Sequence, residues 1–173
     1  MPGAGFLLNN EMGDFNAAPG LTDDRGLIGT TPNLARPGKR MLSSMTPTIL
    51  AKDGTLFMVT GSPGGRTIIN TVLETIVGVV DFGLNAQEAI DAPRFHHQWL
   101  PDKIQYEKYG LSADTTAALE ARGHALQVIR EQGVAQVIIY NPKEDVLEGG
   151  SDRRAADGGA VGVSGRVTRK ATQ

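Results

Sequence analysis

The sequence contains no cysteine. That absence excludes a disulfide framework, thiolate metal ligands and a cysteine nucleophile. It also lacks a charge excess: 17 Lys and Arg face 19 Asp and Glu, for a formal net charge of −2. No electrostatic footprint points to nucleic acid or an anionic membrane surface. No apolar run approaches the roughly 20 residues that a membrane helix needs. The first residues have neither the basic segment nor the long apolar segment of a signal peptide. Histidine is scarce, with 3 in all, and two of them are the neighbours His96 and His97. Adjacent side chains diverge, and His124 is too isolated to complete a site, so no metal and no cofactor is expected. The phosphate-binding fingerprints are missing as well. Gly61 is followed five positions later by Arg66 rather than by Gly-Lys-Ser/Thr, and G-x-G-x-x-G does not occur.

What is present is an ordinary globular composition, 40% hydrophobic and 21% charged over 173 residues, enough for one domain with a core. The chain opens on "GFLL", residues 5–8, which reads as a strand with nothing before it and so as a segment cut from a longer protein. Residues 16–40 are rich in Gly and Pro with little periodicity, a long loop of the kind that often serves as a lid. "PTILAKDGTLFMVTG" has two β-rich runs around Asp53-Gly54 and predicts a hairpin. The spacing of Ile68, Ile69, Val72, Leu73, Ile76, Val77 and Val80 predicts a helix buried between layers and closed at Gly83. Asn85 with Glu88 reads as a capping box ahead of a short helix stopped by Pro93. "KIQYEK" predicts a strand, and Ser112 caps a helix closed by Gly123. "ALQVIR" and "AQVIIYN" predict strands paired across "EQGV", and "VLEGGSD" adds a last one. Phe95 and Trp99 read as core or interface. From Arg153 onward the chain is polar and Gly-rich and reads as a tail of solvated charge. The sum is α+β with a mainly antiparallel sheet.

The informative stretch is "TGSPGGRTIIN", residues 60–70, which places bare backbone at the mouth of a helix. Gly64 and Gly65 permit two N–H groups to point at one developing negative charge, the geometry of an oxyanion hole. They equally permit a strand-to-helix turn that only needs positive φ. Two neighbours bear on the choice. Ser43 and Ser44 precede the hairpin that leads into the glycines. Glu11 and Asp14 follow the first apolar run. Two carboxylates suit an ammonium group, and hydroxyls with N–H groups suit a carboxylate. Together they describe a pocket for a zwitterionic amino acid with an acyl carbon near the glycines.

"GFLLNNEMGDF", "GKRMLSSMTPTIL", "TGSPGGRTIINTVL" and "GLNAQEAIDAPRFHHQWLPD", in that order, closely resemble the small subunit of γ-glutamyltranspeptidase. The likeness runs from about residue 5 to residue 155. It implies an N-terminal nucleophile (Ntn) hydrolase with an αββα sandwich, here incomplete, made as a proenzyme that cuts itself into large and small subunits. It implies a threonine nucleophile, with its own α-amine as base, acting on the γ-glutamyl carbonyl of glutathione and related amides. Carried over residue by residue, Gly64 and Gly65 supply the oxyanion hole. Glu11 and Asp14 hold the substrate α-ammonium, and Ser43 and Ser44 help hold its α-carboxylate. Residues 1–155 form part of the small-subunit domain, Pro19 to Gly29 is a lid-like loop, and residues 156–173 are a flexible tail. Arg25 stands where some members carry a lid aromatic. Partners implied are the γ-glutamyl substrate and the large subunit or the missing N-terminal part of the proenzyme. Members are usually periplasmic or extracellular.

The same resemblance places the nucleophile threonine upstream of the "LLNN" run, ahead of Met1. The expectation is a chain with pocket and oxyanion hole but without the nucleophile, inactive when isolated. The alternatives are a non-catalytic fragment or partner-binding domain, and a related Ntn acylase of the cephalosporin acylase kind.

Overall fold

The computed structural model describes residue 3, residues 5–6, 8–16 and 18–163. The hairpin forms as its turn chemistry requires. Strand β1 (Thr48–Lys52) and strand β2 (Thr55–Gly61) pair antiparallel around Asp53 and Gly54, whose φ angles are 52° and 74°. Positive φ at both central residues is the type I′ geometry that matches strand twist. Strands β6 (Gln136–Asn141) and β7 (Val146–Ser151) extend the sheet in the order β1-β2-β6-β7, every pair antiparallel.

The period of two along the strands gives this sheet one covered face. Met58 and Thr60 of β2 and Val137 and Ile139 of β6 are buried on it. Helix α1 (Ile68–Val80) and helix α2 (Ala86–Asp91) lie over them, and Val79, Ala86, Ala89 and Ile90 complete the core. The opposite face carries Ile49, Ile138 and Leu147, all exposed, and residues 159–163 border it beside β6 and β7. Helix α2 begins in a complete capping box. The Asn85 side chain accepts the Glu88 N–H at 2.9 Å, and the Glu88 carboxylate accepts the Asn85 N–H at 3.0 Å. Gly83 takes φ 67° past the end of α1, as a helix stop does.

The second sheet has the order β3-β4-β5, with β3 at Phe95–His96, β4 at Ile104–Glu107 and β5 at Leu126–Ile129. It overturns the expected pairing of β5 with β6. Helix α3 (Ala113–Ala121), capped by Ser112, makes β4-α3-β5 a crossover unit, so β5 lies parallel to β4. Residues 130–135 then pass between sheets instead of turning a hairpin.

Four further expectations are corrected. Residues 5–6 and 8–9 form no strand, because among the described residues no strand lies beside them to supply ladder partners, and Phe6 and Leu8 are exposed; Leu7 lies outside the described residues. Helix α1 is not covered all round. It buries Thr71 and Thr75, whereas Ile69, Leu73 and Val80 are about half exposed on the other side. Of the two readings of Phe95 and Trp99, core or interface, their exposure removes the core one. Arg154 belongs to the folded interior rather than to a solvated tail, because two carboxylates meet it there. The tail expected at residues 156–173 falls outside the described residues from 164 onward.

Candidate functional site

The glycine turn begins where β2 ends. Pro63 carries no N–H and a fixed φ, and the two residues after it take positive φ, which favours glycine. Gly64 has φ 147° and ψ 10°, and Gly65 has φ 56°. A single 3-10 turn, Gly65–Thr67, then leads into α1. A Cβ on Gly64 would stand 2.8 Å from Thr67 Oγ1, which itself donates to the Gly64 carbonyl at 3.0 Å. Neither the Gly64 nor the Gly65 N–H donates to an acceptor among the described residues. Two adjacent unengaged donors at a helix mouth can receive one anionic oxygen.

Glu11–Asp14 forms one 3-10 turn. The Asp14 carboxylate accepts the Ser44 hydroxyl at 3.2 and 3.4 Å and the Ser44 N–H at 3.4 Å. This joins residues 30 apart in sequence. Asn33 braces the pair from the long loop. Its Nδ2 donates to the Asp14 carbonyl at 2.6 Å, and its Oδ1 accepts the Leu42 N–H at 3.1 Å. The hairpin register sets Thr48 opposite Thr60. Ser44 and Gly64 each stand four residues past that pair, at the same end of the sheet. The structure thus joins Asp14 to Ser44. It shows no such contact for Glu11, whose N–H donates to Asn9 Oδ1 at 3.1 Å, or for Ser43, whose Oγ accepts the Met45 N–H at 3.3 Å. The Ser44 hydroxyl proton is committed to Asp14, whereas the Ser43 hydroxyl proton is not so engaged.

The tip of the Pro19–Gly29 loop reaches this region. Asp23 gathers it, accepting the Arg25 N–H at 3.1 Å and the Leu27 N–H at 2.9 Å. Gly26 is buried, and a Cβ there would stand 2.6 Å from both Arg66 Nη1 and the Leu100 carbonyl. The loop therefore touches the residue that follows Gly65.

Sequence reasoning missed a buried charged cluster behind the turn. Arg94 donates to the Asp152 carboxylate at 2.8 Å and to the Gln132 carbonyl at 2.6 Å. Glu107 accepts the Gln132 N–H at 2.7 Å, the Arg94 N–H at 3.0 Å and the Arg154 side chain. Asp152 also accepts the Ala135 N–H at 2.7 Å and Arg154 at 3.1 Å. Burial pushes both carboxyls up, but the arginines and backbone donors hold Glu107 and Asp152 below the usual carboxylate range. Burial lowers Arg94 against the pull of Asp152. The signal was a carboxylate closing the short strand "IQYE" and an arginine beside Pro93, neither of which fits a surface pattern. His96 and His97 do diverge: His96 is buried with Nε2 2.7 Å from Gln98, and His97 faces Asp102 at 3.1 Å.

Glu74 of α1 flanks this cluster. Burial pushes its carboxyl up to about 7, against the Phe95 N–H it accepts at 3.0 Å. A raised folded-state pKa gives stability that is present below pH 4.5 and lost as pH rises through 7. Glu74→Gln keeps the acceptor and removes the titration. Urea unfolding should find the variant more stable relative to wild type at pH 8 than at pH 4.5, by on the order of 1 kcal/mol after allowing for partial solvation.

Among the described residues, no helix is long and apolar enough to cross a membrane. A cavity of about 1040 Å³ beside β6 and β7 shares no residue with the glycine turn or the Asp14–Ser44 pair.

Known proteins resemble this chain in sequence and in fold. The family model described as gamma-glutamyltranspeptidase matches residues 1–162. The glutathione hydrolase proenzyme of Escherichia coli is 51% identical over 154 residues, covering 89% of this chain and 26% of that protein. A mutant Helicobacter pylori gamma-glutamyltranspeptidase chain superposes with a TM-score of 0.79 at 44% identity, covering 90% of this chain and 84% of that one. The cephalosporin acylase of Bacillus halodurans gives a TM-score of 0.72 at 31% identity, covering 82% of this chain and 26% of that one. The fold is that of the Ntn hydrolases, and a helix layer on a sheet whose other face exposes apolar side chains is half of an αββα sandwich. The chain spans about a quarter of the length of the curated relatives it matches.

Proposed function

Because the chain belongs to the gamma-glutamyltranspeptidase family, we propose that it supplies the substrate pocket and oxyanion hole of an enzyme transferring or hydrolysing γ-glutamyl groups of glutathione and related amides. The observation that carries this reading is the shared sheet end. A carboxylate–hydroxyl pair for the amino-acid end of a substrate stands at the same end of the sheet as the unengaged Gly64 and Gly65 N–H groups.

The chemistry follows from these groups. Asp14 takes the substrate α-ammonium, with Ser44 fixing its carboxylate and Asn33 its backbone carbonyl. Ser43 donates its hydroxyl proton to the α-carboxylate, and Glu11 adds negative charge at the ammonium end. This holds the γ-carbonyl at the glycine turn. A threonine hydroxyl attacks it, its proton passing to the threonine's own α-amine. The carbonyl oxygen becomes an oxyanion that the Gly64 and Gly65 N–H groups stabilise. Collapse breaks the C–N bond, and the leaving amine takes the proton. Water or an acceptor amine then attacks the acyl-threonine, returning the free hydroxyl. That threonine and the large-subunit portion come from outside Met1–Gln173, in the longer assembled enzyme. The Pro19–Gly29 loop, resting on Arg66, covers the bound substrate.

Asp14→Asn tests the pocket. Loss of the charge weakens a charge-assisted contact by about 1.5–3 kcal/mol, or roughly 10–150-fold in affinity. Steady-state assays of the assembled enzyme with a γ-glutamyl anilide should show that loss chiefly in KM. An unchanged KM contradicts the assignment.

A further inference from the structure

The Gly64–Gly65 turn is held from behind by a segment about seventy residues away in sequence. The Val134 N–H donates to Ser62 Oγ at 3.1 Å, across 72 positions, and Ser62 Oγ donates to the Pro63 carbonyl at 2.7 Å. Gly133, with φ 65°, lies against the turn so closely that it has no room for a side chain. A Cβ there would stand 2.7 Å from Ser62 Oγ, 3.0 Å from Thr71 Oγ1 and 3.1 Å from the Pro63 carbonyl. The contact is reciprocal, since a Cβ on Gly64 would lie 3.4 Å from the Gly133 Cα.

The segment is itself fixed at both ends by buried charge. Gln132 is gripped through its N–H by Glu107 at 2.7 Å and through its carbonyl by Arg94 at 2.6 Å. Its side chain, 2% exposed, donates to Thr71 Oγ1 at 3.3 Å. Ala135 is gripped through its N–H by Asp152 at 2.7 Å. A backbone conformation as unusual as that of Gly64 persists only where its surroundings over-determine it. Here those surroundings are Gly133, Ser62 and Thr67.

We infer that Gly133 and Ser62 are positioning residues for the oxyanion hole, setting the direction of the Gly64 and Gly65 N–H groups, and that the Arg94–Glu107–Asp152 cluster exists to hold Gly133 in place. The inference rests on the oxyanion-hole reading proposed above. Gly133 touches no substrate. It acts through the turn, and its effect falls where the oxyanion develops rather than where the amino-acid end binds. An ångström of displacement at such a site costs on the order of 10–100-fold in rate.

The test uses the assembled enzyme and a γ-glutamyl anilide. Gly133→Ala should lower kcat by about 10–100-fold with KM within about twofold of wild type. A boronate analogue of the γ-glutamyl group, which forms a tetrahedral anion, should lose affinity in the same ratio, and free glutamate should not. Ser62→Ala, which removes the tie to Val134 without adding bulk, should show the same split at smaller size. If Gly133→Ala does not fold, Ser62→Ala decides. Wild-type kcat in the folded variant, or a loss shared equally by kcat, KM and glutamate binding, overturns the inference. Gly64→Pro separates the two readings. If it retains wild-type turnover, the oxyanion hole itself is misassigned. If it is inactive while Gly133→Ala and Ser62→Ala are fully active, only the positioning role fails.

Discussion

Gly64→Ala should lower kcat of the assembled enzyme by about 10²–10³-fold, the loss seen when one oxyanion donor is removed. The physical cause is local. A φ of 147° is closed to residues with a Cβ, and that Cβ would meet Thr67 Oγ1 at 2.8 Å. The turn must rotate toward negative φ to accept alanine, and the Gly64 and Gly65 N–H groups rotate with it. Asp14 and Ser44 lie on separate segments and keep their 3.2 Å contact. KM should therefore change little, and the loss should appear in single-turnover acylation as well as in kcat. A variant with normal acylation would show that the turn serves only to join β2 to α1.

Arg94→Met should be the most destabilising single change in the chain. Arg94 and Asp152 are 2% and 0% exposed, and the guanidinium also satisfies the Ile90 and Gln132 carbonyls at 2.8 and 2.6 Å. Methionine matches the stem but leaves Asp152 charged and short of a partner. Breaking a buried pair from one side costs about 3–5 kcal/mol. Urea unfolding should show that loss. Arg94→Met with Asp152→Asn should recover part of it, because removing both charges leaves no unpaired ion, although the Ala135 N–H then meets a weaker acceptor. A single variant within 1 kcal/mol of wild type, measured the same way, would show that Arg154 alone satisfies Asp152.

These two residues also mark what was legible in the sequence. Gly64 was legible as a special backbone position, because paired glycines before a helix point to positive φ, which both Gly64 and Gly65 take. The hairpin at Asp53-Gly54 and the capping box at Asn85 and Glu88 were legible for the same reason: each is a local device whose partners lie within a few residues. Arg94 was not, because its partners Gln132 and Asp152 are 38 and 58 positions away. The parallel pairing of β5 was hidden because a strand's own pattern does not name its neighbour. Helix α1 was misread in one respect. Apolar periodicity located it, but periodicity does not say which face this chain covers, and the buried face carries Thr71 and Thr75. At the site, the four residues Glu11, Asp14, Ser43 and Ser44 were legible as chemical types. Only the fold shows that Asp14 chooses Ser44 and that Asn33 holds them.

On the reading proposed above, this chain holds the γ-glutamyl group and its oxyanion while the nucleophile lies outside Met1–Gln173. The most direct measurement is to quench the assembled enzyme with acid during turnover of a γ-glutamyl substrate, digest it, and locate the γ-glutamyl adduct by peptide mass. The expected result is an adduct on a threonine outside Met1–Gln173, with a much smaller yield in Gly64→Ala. An adduct on Ser43, Ser44, Thr60 or any other residue of this chain would contradict it.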